Sequence, residues 1–144
     1  MDSLDTVSTQ QQSISLNVLN FIQGDQFQIE QGKYYVIEFW ATWCPPCVKS
    51  IPHLNDLYLK YKEQINFVGV TSGDSNPIIQ FVQSKKDIMT YPVAIDIDNV
   101  VHDELHIKGI PKLFIVDGNC NIIWSGHPMD DEVEKQLNNL INTK

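Results

Sequence analysis

The feature that most constrains this chain is a change of hydrophobic period at a pair of cysteines. Upstream, Tyr34-Tyr35-Val36-Ile37-Glu38-Phe39-Trp40-Ala41 is a near-continuous run of β-branched and aromatic residues. Such a run suits a strand buried on both faces of a parallel sheet. Downstream, Val48, Ile51, Leu54, Leu57 and Tyr61 recur every three or four residues, the single apolar stripe of an amphipathic helix. Pro52 falls inside that stripe and predicts a kink or a restart. Trp43-Cys44-Pro45-Pro46-Cys47 stands at the joint, so the chemistry-bearing residues lie where a buried strand feeds a helix.

The remaining segments extend the same alternation. Ile14, Leu16, Val18 and Phe21 predict a short, irregular strand over 13–21, and Phe27 with Ile29 a partner strand. Ile65 to Thr71 predicts a second buried strand. Asp74 or Ser75 caps a helix carrying Ile78, Ile79 and Phe81, which ends near Lys85-Lys86. Tyr91 to Ile97 predicts a third parallel strand, and Val100 to Leu105 a short helix. Gly109-Ile110-Pro111 leads into a strand over 112–116, and Asp117-Gly118-Asn119 turns it into a hairpin with 121–125. A last helix starts around Met129, its stripe formed by Val133, Leu137, Leu140 and Ile141. Strands and helices alternating, with an antiparallel hairpin and a helix last, imply an α/β sandwich: a central mixed β-sheet flanked by helices. Residues 1–12 are polar and glutamine-rich and are expected to form a flexible tail, leaving 13–144 as one domain.

Composition narrows the functions open to such a domain. Eighteen acidic residues face ten basic ones, all lysine, for a net charge of −8. An acidic chain without arginine lacks the bidentate contacts that read guanine and phosphate, so nucleic acid is not an expected partner. No apolar run approaches the ~20 residues needed to cross a bilayer. Met1 to Gln12 shows no apolar signal core, so a cytoplasmic location is expected. Three cysteines are too few, and odd in number, for a disulfide framework.

Two of those cysteines are spaced for catalysis. With Cys44 at the N-cap, Pro45 is the first helical residue, where its missing N–H is no loss. A Cys44 thiolate there meets the positive helix end and accepts from the Cys47 N–H, which lowers its pKa from ~8.5 into the roughly 3.5–7.5 range. Cys44 is then the nucleophile, and Cys47, one turn on and more buried, the resolving thiol. The two prolines remove N–H donors, which predicts a moderate shift and reducing chemistry. A zinc knuckle is the alternative, but structural zinc takes four ligands and the only other cysteine is Cys120. His102 and His106, four apart, lack a convincing third ligand. A redox-active disulfide between Cys44 and Cys47 is the expectation, with no metal and no cofactor, and Cys120 as a bystander.

Trp40-Ala41-Thr42-Trp43-Cys44-Pro45-Pro46-Cys47, with Pro52 five residues on and Gly109-Ile110-Pro111 before a strand, resembles the thioredoxin superfamily. The resemblance covers nearly the whole chain after residue 13. An N-terminal strand extension and an inserted helix and strand between Pro77 and Ile97 are similar to the TlpA-like branch. The W-C-P-P-C variant is also that of tryparedoxins and nucleoredoxins. The resemblance implies a cis bond before Pro111, with Ile110 offering its backbone to an extended substrate beside Cys44. Trp43 and Pro45 would join that contact surface, while Trp40 packs beneath the motif.

Glu38 is a carboxyl in the middle of a buried strand, which raises its pKa. In thioredoxins an aspartate occupies the matching place, and Glu38 could take the proton of Cys47 when that thiol attacks a mixed disulfide. TlpA-like proteins commonly carry a glutamate shortly after the second cysteine; here that residue is Ser50, so Glu38 acts alone. The expected protein is a monomeric thiol–disulfide oxidoreductase that reduces disulfides in partner proteins, recharged by a reductase or small thiol. The alternatives are an extracytoplasmic reductase of cytochrome-maturation type and a redox-sensing adaptor on the same fold.

Overall fold

The computed structural model describes residues 12–142. Its centre is a six-stranded mixed sheet in the order β1-β4-β3-β2-β5-β6. The strands are β1 (Asn20–Gln23), β2 (Tyr34–Phe39), β3 (Ile65–Thr71), β4 (Val93–Ile95), β5 (Lys112–Asp117) and β6 (Ile122–Gly126). β2, β3 and β4 run parallel, whereas β1, β5 and β6 pair antiparallel to their neighbours. The helices are α1 (Pro45–Tyr61), α2 (Ser75–Ser84), α3 (Val100–Glu104) and α4 (Glu132–Asn142). The tail expected over residues 1–12 lies outside the described residues apart from Gln12, whose side-chain amide donates to the Glu104 carbonyl.

Side-chain alternation along the strands builds two cores. On one face Val36, Trp40, Phe67, Val93, Leu113 and Ile115 pack under Ile51 and Leu54 of α1, Ile78 and Val82 of α2, and Val133 and Leu137 of α4. On the other, Tyr35, Ile37, Phe39, Val68, Val70 and Phe114 meet Leu16, Leu19 and Val101. α1 runs unbroken through Pro52, so the proline ends nothing. Among the described residues, no helix is long and apolar enough to cross a membrane.

The N-terminal expectation needs correction. Residues 13–21 do not form a strand: Leu16–Val18 is a 3-10 turn, and the extension is the single strand β1 on the edge of β4. The buried residues Ile14, Leu16 and Leu19 do not keep a period of two, and Val18 faces solvent. The Glu104 carboxylate holds the Ser15 N–H at 2.8 Å and its hydroxyl at 2.6 Å, tying this segment to α3 rather than to a ladder. Nor do Phe27 and Ile29 form a strand. Tyr35 claims that loop: its hydroxyl donates to the Gln28 carbonyl at 2.9 Å and accepts from the Glu30 N–H at 2.8 Å.

Two further boundaries shift for local reasons. The third parallel strand shrinks to Val93–Ile95, because Pro92 has no N–H to pair and offers only its carbonyl, to the Gly69 N–H at 2.9 Å. In the hairpin, the left-handed residue is Cys120, with φ 64°, and not Gly118. Asp117 organises this loop by accepting from the N–H groups of Asn119 and Asn121, both at 2.9 Å. Gly118 is needed for another reason: a Cβ there would overlap the Glu30 carbonyl oxygen.

Gly69 sets the geometry beneath the cysteines. It pairs with Glu38 on one side and Val93 on the other, and a Cβ there would lie 3.1 Å from both Trp40 Nε1 and Tyr91 Cε1. The missing side chain is the space these two rings occupy. Gly69→Val is expected to destabilise the fold by about 1–3 kcal/mol through overpacking. A lower urea midpoint at unchanged m would show it; an unchanged midpoint would mean that the rings can move aside.

Candidate active site

Cys44 and Cys47 form a disulfide, with Cα atoms 5.2 Å apart, at the point where β2 passes into α1. Cys44 is the N-cap, in extended conformation, with Pro45 and Pro46 as the first helical residues. Its Sγ accepts the Cys47 N–H at 3.3 Å. Backbone geometry favours this arrangement: the residue before a proline is held extended, and a proline at the first helical position gives up no hydrogen bond, so the helix begins at Pro45. The Ser50 hydroxyl donates to the Cys47 carbonyl at 2.9 Å, which binds it to the first turn rather than to the sulfurs.

Both cysteines are buried, while Trp43 beside them is 76% exposed. Trp43 is the most exposed of the large hydrophobic side chains among the described residues. The opposite wall is the segment before β5. The Ile110–Pro111 peptide bond is cis, and the Ile110 carbonyl oxygen lies 4.0 Å from Cys44 Sγ. The structure thus brings Trp43, Cys44, Pro45 and Ile110-Pro111 to one rim, and Cys47 behind it.

Glu38 lies deeper. It is 2% exposed in β2, and its register places it beside Gly69 and Leu113. It shares the face of Val36 and Trp40, the face that α1 covers. Burial pushes its carboxyl well above the ordinary carboxylate range, with no cation among the described residues to offset it. Among the hydrogen bonds of the described residues, none joins it to either cysteine. Burial likewise raises the phenol of Tyr91, and the charge of Glu38 adds to that rise. Trp40 is buried as expected, yet its Nε1 has no partner among the described residues.

Other candidate groups lie elsewhere. Cys120 is on the far end of the β5–β6 hairpin, partly buried, and burial raises its thiol above the usual value, which disfavours the thiolate. Asp96, one of four acids between residues 96 and 104, is not solvated. It is buried and holds His102, at 2.7 Å from the ring Nδ1. Sequence spacing gave no sign of this pair: it forms only because the end of β4 and the first turn of α3 meet beside the cis segment. His106 is exposed and has φ 52°.

Comparison with known proteins gives a consistent setting. A model of a thioredoxin-like family matches residues 32–122. The thiol-disulfide oxidoreductase ResA of Geobacillus kaustophilus is 27% identical over 128 residues, covering 85% of this chain and 73% of that protein. The crystal structure of StoA from Bacillus subtilis superposes with a TM-score of 0.72 at 25% identity, over 84% of this chain and 94% of that one. The structure of MTB DsbF gives 0.71 at 26% identity, over 89% and 99%.

Proposed function

We propose, for a chain that belongs to the thioredoxin-like family and is a thiol–disulfide oxidoreductase, that it reduces disulfides of partner proteins through Cys44 and Cys47. The observation that carries this reading is the position of Cys44. Its sulfur sits at the N-terminus of a 17-residue helix, accepts an N–H, and lies beside an exposed indole and the Ile110 carbonyl.

In the reduced protein, the helix end and the Cys47 N–H stabilise a Cys44 thiolate. An extended partner segment docks on Trp43, Pro45 and the backbone of Ile110-Pro111. The Cys44 thiolate attacks one sulfur of the partner, forming a mixed disulfide and releasing the other as a thiol. Cys47 then gives its proton to Glu38 and attacks Cys44 Sγ, which frees the reduced partner and leaves the disulfide seen here. A buried carboxyl with a raised pKa is a suitable base for a thiol, since the two affinities for the proton are brought closer. Two electrons leave the protein in each cycle, so a reductase or small thiol must return them.

The test is direct. Chain reduced beforehand should precipitate insulin by cutting its interchain disulfides, consuming one dithiol per disulfide. Insulin left intact by the fully reduced chain would reject the reductase reading.

A further inference from the structure

The mechanism above leaves one buried charged group unused. Asp96, at the end of β4, is 1% exposed. Its Oδ2 accepts from the backbone N–H of His102 at 2.8 Å and contacts the His102 ring Nδ1 at 2.7 Å. Its Oδ1 is buried without a partner among the described residues. A helix cap requires only the backbone bond, so the ring contact is an addition that fixes the imidazole. Phe39 holds the ring from the side, edge to face, with centroids 4.9 Å apart. The His102 side chain keeps 17% exposure.

A cavity beside this pair shares Trp43 and Ile110 with the reaction site. His102 lines this cavity of about 230 Å³, whose walls include Trp40, Trp43, Ser72, Lys108 and Ile110. Trp43 precedes the nucleophile, and the Ile110 carbonyl is the group 4.0 Å from Cys44 Sγ. With Nδ1 facing the carboxylate, Nε2 is the ring nitrogen that Asp96 leaves open. Among the described residues, Asp96 contacts the ring and Lys108 lines the same cavity.

We propose that His102, oriented by Asp96, is a catalytic residue that protonates the leaving sulfur of a bound disulfide. The proposal rests on the oxidoreductase reading. In the step it assigns, the Cys44 thiolate forms a bond to the nearer substrate sulfur. The substrate S–S bond breaks, and its electron pair goes to the farther sulfur. That sulfur takes the Nε2 proton, which is the one Cys44 gave up on ionising. Summed, Cys44 thiol and a disulfide become a mixed disulfide and a free thiol, with His102 returned to its neutral form. Asp96 is a positioning residue.

Two disulfides separate this role from a structural one. Dithiobis(nitrobenzoate) expels an acidic aromatic thiolate that needs no proton, whereas hydroxyethyl disulfide expels an alkyl thiolate that does. Single-turnover rates of the reduced full chain with each, for wild type, His102→Gln and Asp96→Asn, give the alkyl-to-aromatic rate ratio. Any loss of Cys44 ionisation slows both substrates alike and cancels from that ratio. His102→Gln is expected to lower the ratio about tenfold or more, and Asp96→Asn to lower it less. An unchanged ratio in His102→Gln, even with both rates reduced, overturns the proposal, and that outcome is readable even if Asp96→Asn does not fold. A wild-type chain that reduces neither disulfide overturns the oxidoreductase reading, and this proposal with it.

Discussion

Cys47→Ser should convert the protein into a covalent trap. The variant keeps Cys44 at the N-cap, where the helix end and the backbone N–H of residue 47 still stabilise its thiolate. It can therefore complete the first exchange and attach a partner. It cannot complete the second, because a serine hydroxyl does not displace a thiol from the mixed disulfide. Partners should accumulate on Cys44 as higher-mass species in non-reducing gels, dissolved by dithiothreitol. Insulin turnover should fall by more than about a hundredfold, since both thiols act as one unit and either loss removes the cycle. Cys44→Ser should lose turnover as completely and trap nothing, because Cys47 is buried behind the rim and cannot meet a partner disulfide. Adducts on Cys44→Ser with none on Cys47→Ser would exchange the two roles.

Glu38→Gln should slow turnover and stabilise the fold, two effects with one cause. The native carboxyl is buried without a compensating cation among the described residues, which holds its pKa well above the ordinary range. The unfolded chain sheds the same proton near pH ~4.3. Between those two values the native state binds more protons than the unfolded state, so stability declines as pH rises. The contribution is intact below the unfolded pKa and is lost as pH climbs through the folded one. Glutamine removes the ionisation. The variant should match wild type near pH 4 and exceed it near pH 8, with Tm rising by about 2–4 °C for each kcal/mol recovered. Release of the mixed disulfide should slow at neutral pH by about tenfold or more, as expected for loss of a positioned base. An unchanged rate across the pH range would remove Glu38 from the mechanism while leaving the stability result in place.

The outer rim of the site was accessible from sequence because its residues are contiguous or carry backbone rules. Two prolines after a cysteine fix where a helix can start, and a buried strand before them fixes what it packs on. Glu38 was accessible for the same reason: a lone carboxyl in an apolar run must be desolvated if the strand is central. Gly69, Tyr91 and the Asp96–His102 pair gave no such signal. Gly69 is one glycine among seven, and its meaning appears only when β3 lies beside β2 and the Trp40 and Tyr91 rings meet over it.

Charge patterning is silent in a related way. Asp96, Asp98, Asp103 and Glu104 look alike along the chain, yet Asp96 is buried on His102 and Glu104 holds Ser15. The N-terminal segment shows the same limit. Its apolar spacing suggested a strand, but the hydrogen-bond donors that decide the matter sit 89 residues away from their acceptor in Glu104. Sequence alone determined the elements whose causes are local: hydrophobic period, proline at the first helical turn, and the reactive pair that this places at the helix end. Tertiary structure alone decided which distant residues complete the site. Burial and electrostatic pairing depend on neighbours that the fold supplies, and no spacing along the chain encodes them.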